Sequence, residues 1–185
     1  MLRKIGLIVF AVIILQSSVL RNDSFDRYRK LLKVIDLPIS FSCLEDFDYP
    51  DYSNIPAELD KKYRPMGHKT LGRIDLNKNF ISIIQVAQSE TEYPIIFNYN
   101  TDGTQIASLG LYSGSCSSFP PESSVSSSFI NHYKIVSMTD TTSYFRLNKE
   151  GDRVGICDSI IIRYFEYKMD DSGQFRLFNN KRIKK

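Results

Sequence analysis

From residue 70 onward, apolar and polar positions alternate in short runs broken by turn-forming residues. TLGRIDL and FISIIQVAQ flank NKN, and YPIIFNY and TQIASLGLY flank a second polar break. SFINHYKIVSM, TSYFRLN, SIIIRYFEYKM and QFRLF follow. Runs of Ile, Val, Tyr and Phe at this spacing predict seven or eight mainly antiparallel strands in meander order. The fold class expected is mainly β, as a curved sheet, a sandwich or a partial propeller. In Ile160 to Tyr167 the set Ile160, Ile162, Tyr164 and Glu166 is mostly apolar, and the set Ile161, Arg163, Phe165 and Tyr167 is mixed. One face of that strand should pack and the other stay partly wet.

Before residue 40 the period changes. Phe25, Tyr28, Leu32 and Ile35 fall at three- and four-residue steps, with Arg27, Arg29, Lys30 and Lys33 between them and Asn22, Asp23 and Ser24 ahead as caps. This predicts a short amphipathic helix ending before Pro38, to pack on a sheet or link the domain to an anchor. Further upstream, MLRK precedes eleven apolar residues, Ile5 to Leu15, and then Gln16, Ser17 and Ser18. That is a secretory signal pattern, too short for a comfortable membrane span. The chain thus divides into a signal peptide or N-terminal anchor (1–18), a helix and linker (19–36), a single β-rich domain (37–179) and a basic tail (180–185).

Composition adds compartment and charge. The 185 residues are 42% hydrophobic and rich in Tyr and Phe without Trp, enough for one cored domain. Arg3 and Lys4 leave with the signal segment, so 24 cations against 21 acids become 22 against 21. The pI of 8.7 therefore describes little of the folded surface. KRIKK at the end reads as a frayed solvated tail, and nucleic-acid binding has no other support. Cys43, Cys116 and Cys157 in an oxidising compartment imply one disulfide and one leftover thiol, and Cys43 with Cys116 is the favoured pairing because both sit at loop-like strand ends.

Ligand chemistry is thin. Asn98, Asn100 and Asp102 before Gly103 resemble the start of a calcium loop, but Leu109 stands where a bidentate Glu would complete the sphere. Asn100 to Gly103, Asn148 to Gly151 and Asp170 to Gly173 share Asn or Asp three positions before Gly, and a hairpin turn explains all three. The acidic stretch with Glu45, Asp46, Asp48 and Asp51 reads as a solvated loop, and SGSCSSFPPESSVSSS (113–128), nine of whose sixteen residues are Ser, as a mobile lid or slack.

Ile96, Tyr99, Asn100, Gly103, Ile106, Ser108 and Leu109 form a strand, turn, strand unit that resembles those of small exported β-rich proteins of Bacteroides-type Gram-negative bacteria and, more distantly, YD-repeat hairpins. The resemblance covers about a third of the chain. It implies an exported sheet protein and carries over no catalytic residue.

For catalysis, a constellation of Ser113 or Ser115 with His132 and Asp140 can be drawn, but no nucleophile elbow, phosphate loop or zinc spacing accompanies it. His132 is expected on a strand and His68 in a turn. No catalytic residue, metal or cofactor is assigned. The expectation is a non-enzymatic exported module that meets an unknown macromolecule at the cell envelope, in the periplasm or tethered to the membrane only by an uncleaved N-terminal segment. Tyr49, Tyr52, Tyr112 and Phe119 are its candidate recognition aromatics, with folding back onto the sheet as the alternative. A small envelope hydrolase or glycan-acting enzyme is the other reading.

Overall fold

The computed structural model describes residues 24–88, 92–114 and 116–185. The expected signal segment over 1–18 and the caps Asn22 and Asp23 lie outside the described residues. Helical residues 24–31 form α1, and β1 (Ile39–Ser42) and α2 (Ala57–Tyr63) follow. Next come β2 (His68–Ile74), β3 (Phe80–Ala87), β4 (Tyr93–Asn100) and β5 (Gln105–Gly110). The chain ends with β6 (Glu122–Ile130), β7 (Ile135–Leu147), β8 (Arg153–Met169) and β9 (Phe175–Lys184). Two open antiparallel sheets result, one in the order β2-β3-β4-β5 and one in the order β1-β6-β7-β8-β9. Both are meanders except that β1 joins the second sheet beside β6.

The sheets share one core, the sandwich form of the expectation. Phe80, Ile84 and Val86 of β3 and Ile96 of β4 meet Phe41, Ile130, Val136, Met138 and Met169 from the other sheet. Alternate residues of the same strands, Ile81, Ile83, Phe97 and Tyr99, face the opposite way and are covered by Phe25, Tyr28 and Leu32 of the α1 segment and Ile55, Leu59 and Tyr63 around α2. β3 is therefore buried on both faces, which is why its sequence is a near-continuous apolar run. The N-terminal helix ends at residue 31 rather than before Pro38. Residues 33–35 then run extended along the edge of β2, where the Ile35 N–H donates to Arg73 O at 2.8 Å and the Arg73 N–H to Lys33 O at 2.9 Å. One more tie joins the layers: the buried Asn98 accepts from Ser82 Oγ at 2.6 Å and donates to Gly173 O at 2.7 Å in the turn between β8 and β9.

All three Asn/Asp-to-Gly segments turn hairpins, with Gly103, Gly151 and Gly173 at φ of 84°, 88° and 82°. Asn148 and Asp170 act through their side chains, whose Oδ1 atoms accept backbone N–H groups two and four residues on. The Ser172 hydroxyl and the Gln174 and Ser172 backbone N–H groups hold the Asp170 carboxyl at about 2. The first turn uses a different side chain, that of Asp102. Asn100 takes Gly103 N–H on its carbonyl, and the Asp102 carboxylate accepts from Thr104 N–H at 2.8 Å.

Gly103 carries a second constraint. A Cβ there would stand 2.8 Å from Phe25 Cβ and 3.0 Å from Tyr63 Cε1, whereas one at Gly151 would meet nothing within 4 Å. Both positions disfavour a side chain by backbone conformation, and only the first adds overpacking. Gly103→Ala should cost about 3 kcal/mol and Gly151→Ala about 1 kcal/mol in chemical denaturation. Equal losses would show that the contact with α1 contributes nothing.

Several expectations change with the three-dimensional pairing. SFINHYKIVSM is not one strand: β6 ends at Ile130, residues 131–134 turn, and β7 begins at Ile135. Much of the Ser-rich stretch is strand β6, because β1 and β7 bond its backbone from both sides. KRIKK belongs to the end of the sheet, with Lys184 opposite Ile161 and reciprocal backbone bonds between Lys185 and Ile160.

Candidate functional site

The outer face of the five-stranded sheet, turned away from the shared core, is set by the alternation along β6 and β7. Ser126, Ser128, Ile130, Val136, Met138 and Asp140 point inward and are buried. Their neighbours Ser127, Phe129, Ser137 and Thr139 therefore point outward. In β8 the mixed set supplies the packed residues, Phe165 and Tyr167, and Tyr164 and Glu166 lie on the outer face. Strand register lines these up in two adjoining rows. One runs Ser40, Phe129, Ser137, Glu166, Asn179, and the other Ser42, Ser127, Thr139, Tyr164, Lys181.

Five Ser or Thr hydroxyls thus share a face with two rings and a fixed polar group. Glu166 is gripped by Tyr164, whose hydroxyl donates to Oε1 at 2.8 Å, and by Asn179, whose Nδ2 donates to Oε2 at 2.7 Å. The Asn179 amide and the Tyr164 hydroxyl hold the Glu166 carboxyl below the usual carboxylate range, and that carboxylate in turn raises Tyr164. Glu166 is therefore an ionised acceptor at neutral pH. Phe129 is 43% exposed. A depression of about 520 Å³ covers this region, lined by Ser40, Ser42, Glu45, Ser127, Phe129, Asn131, Ser137, Thr139 and Tyr164 among others.

A second concavity, about 390 Å³, adjoins it along β1. Ile35, Ile39, Phe41, Phe47 and Leu71 make its apolar floor, and Asp36, Glu45, Asp46 and Asp48 stand with Lys33 at its rim. The stretch read as a solvated acidic loop is one wall of this groove. Among the described residues no group of three or more His, Cys, Asp or Glu side chains is placed to hold a metal ion. The calcium reading of the first hairpin fails on geometry, since Asn98 is turned into the core.

The remaining candidates separate. Cys43 and Cys116 form a disulfide with Cα atoms 5.8 Å apart, and Cys157 is a free, half-buried thiol. A structural disulfide suits an oxidising compartment. Among the described residues no helix is long and apolar enough to cross a membrane. Asp140 is buried, with Ser126 Oγ at 3.3 Å and Arg163 Nη1 at 3.6 Å, and the Gly114 N–H donates to Ser126 Oγ at 3.1 Å. His132 is not on a strand but in the exposed turn before β7, six residues along from Ser126, the partner of Asp140. At about 3.3 Å per residue that is about 20 Å, so no triad assembles; Ser115 lies outside the described residues. His68 opens β2 instead of lying in a turn, its ring 5.9 Å from that of Phe97. Burial, and then the charge of Arg64, push its imidazole below the ordinary value, so it is neutral at pH 7.

Of the four recognition aromatics, Tyr112 is a core residue. Tyr52 is tied down by bonds to Leu71 O and from Lys33 N–H, both at 3.1 Å. Tyr49 lies under Lys69 Nζ at 4.4 Å and accepts from Gln88 Nε2. Only Phe119 stays out, 82% exposed. Sequence reasoning missed Phe129 and Tyr164: Phe129 alternates with Ser127 along the chain, whereas Tyr164 alternates with Ile162 and Glu166 and joins the hydroxyls only through strand register.

Comparison with protein-family models, with curated proteins and with solved structures finds no match to this chain.

Proposed function

We propose that this chain is an exported, non-enzymatic binding module of the cell envelope, and that the outer face of its five-stranded sheet receives a neutral glycan. The observation that carries this reading is the pair of rows in which hydroxyls surround Phe129, Tyr164 and the Glu166 cluster. A sugar offers hydroxyls that both donate and accept, and so do Ser and Thr. Its C–H faces stack on exposed rings. Phe129 on β6 and Tyr164 on β8 lie two strands and two residues apart, about 12 Å, close to the span of a disaccharide. Only Glu166 and Lys181 carry charge in these rows, so an ionic ligand is not favoured.

The test is retention on a microarray of neutral oligosaccharides, followed by titration of the best retained one. Tyr164→Ala and Phe129→Ala should each weaken binding about tenfold, or about 1.4 kcal/mol, and Phe119→Ala should leave it unchanged. Absence of retention, or equal affinity for all three variants, would sink the reading.

A glycan-acting hydrolase is the second reading, because Asp36, Glu45, Asp46 and Asp48 gather at the neighbouring groove. It predicts release of shortened products from the retained oligosaccharide. Their absence after prolonged incubation removes it.

A further inference from the structure

Among the described residues the five-stranded sheet is open at both edges, and the two edges carry opposite charge. At one end, none of β6's residues lines the 390 Å³ groove beside β1, so the groove follows the strand's unpaired side. Its rim bears Asp36, Glu45, Asp46 and Asp48 against a single cation, Lys33. At the other end, β9 is ten residues long and nearly all exposed, holds Arg176, Lys181, Arg182 and Lys184, and contains no acid.

Backbone register shows what these edges offer. Lys185 and Ile160 exchange both of their backbone hydrogen bonds. Alternation along an antiparallel ladder then leaves the N–H and C=O groups of Asn180, Arg182 and Lys184 directed away from β8. On β1 the Cys43 N–H bonds to Ser126 O, so by the same rule the Ser40 backbone faces the groove. Such edges pair with further strands unless something prevents it. Pairing of β9 with another β9 is opposed by its cations, and pairing of β1 with another β1 by the carboxylates. The complementary pairing is β9 with β1.

We propose that the occupant of the β1 groove is the β9 strand of a second copy of this chain, giving head-to-tail association through a continuous sheet. Strands β1 and β9 run in the same direction, because three antiparallel strands lie between them. Copies in one orientation therefore join in parallel, with their outer faces on the same side. The contact is heterologous, and both ends of each assembly, a free β1 groove at one and a free β9 at the other, stay open to further copies. It draws on edges and charge alone and is independent of the glycan reading.

Sedimentation of the protein obtained from the full-length chain tests this. At low ionic strength the weight-average mass should rise with concentration to roughly double that of the monomer or more, as an open-ended contact requires. It should return to the monomer near 1 M salt, where the Debye length is about 3 Å. Two charge-reversed chains complete the test, Lys181→Glu/Arg182→Glu/Lys184→Glu and Glu45→Lys/Asp46→Lys/Asp48→Lys. Each alone should be monomeric at low salt with unchanged circular dichroism, and mixing them should restore association. A monomeric unmutated chain at all salt concentrations overturns the proposal, including where the basic strand binds anionic lipid vesicles instead. Variants that associate singly, or a folded pair that stays monomeric when mixed, also overturn it. If a variant does not fold, the salt and concentration dependence of the unmutated chain decides alone.

Discussion

A Cys43→Ser/Cys116→Ser variant is expected to lose about 4 kcal/mol of folding free energy. The bridge joins residues 73 apart, and the chain between them holds α2 and the whole four-stranded sheet. Pinning both ends of that segment removes entropy from the unfolded state, and for a closed loop of this length the chain-entropy relation gives about 4 kcal/mol. The folded side depends on it as well. β1 is only four residues long, and beyond its ladder to β6 and the packing of Phe41 and Ile39 on the core it is held by the Cys43 N–H to Ser126 O bond at 3.0 Å and by the bridge. Loss of the bridge should therefore loosen β1 and, with it, the acidic wall of the groove. Urea denaturation of the double variant, and of the unmutated chain in reductant, should give the same lowered midpoint. Cys157→Ser serves as the control: among the described residues its Sγ bonds only to the Ser159 and Tyr144 carbonyls, at 3.1 and 3.3 Å, and its loss should cost about 1 kcal/mol at most. A double variant within about 1 kcal/mol of the unmutated chain would contradict the argument.

What could be read in advance divides by the range of the forces involved. The hairpin glycines were legible because a left-handed residue is a local demand, met by Gly103, Gly151 and Gly173 with Asn or Asp three positions earlier. The cysteine pairing was legible too, since ISFSC and SGSC both end in loop-like residues. β6 was not. Ser is a poor strand former, and ESSVSSSFI becomes a strand only because β1 and β7 bond it from either side. The basic end of β9 looked like a tail for a similar reason: Lys and Arg say nothing of the ladder that β8 supplies. Helix α2 spans seven residues, begins after Pro56 with no side-chain cap, and left only Ile55, Leu59 and Tyr63 at four-residue spacing as its signal. Recognition residues were misjudged because exposure is tertiary. Tyr112 follows a strand and looks available, yet the fold buries it, and Phe129 and Tyr164 are brought into view only by register.

The same tertiary reasoning makes Phe25→Ala the most damaging single truncation expected in the N-terminal segment, at about 4 kcal/mol. Phe25 is fully buried, with its ring centroid 5.0 Å from that of Tyr63 and 5.4 Å from that of Tyr99, and its Cβ lies against Gly103. Removing the ring leaves a void bounded by α2, β4 and the first hairpin turn, none of which can close in without disturbing β3 beneath. Residues 24–31 would otherwise be a linker that could be cut away, and in that case the substitution would cost little. The alternative turns on β3: Ile81 and Ile83 face the helices as fully as Ile84 and Val86 face the other sheet, so the four-stranded sheet is half uncovered without α1. Denaturation of Phe25→Ala beside Phe119→Ala separates the two cases, since Phe119 is exposed and its loss should stay within about 0.5 kcal/mol. Equal stabilities would make α1 a linker. A loss near 4 kcal/mol makes it the outer layer of the domain and places the start of the folded unit at or before Phe25, rather than at residue 37.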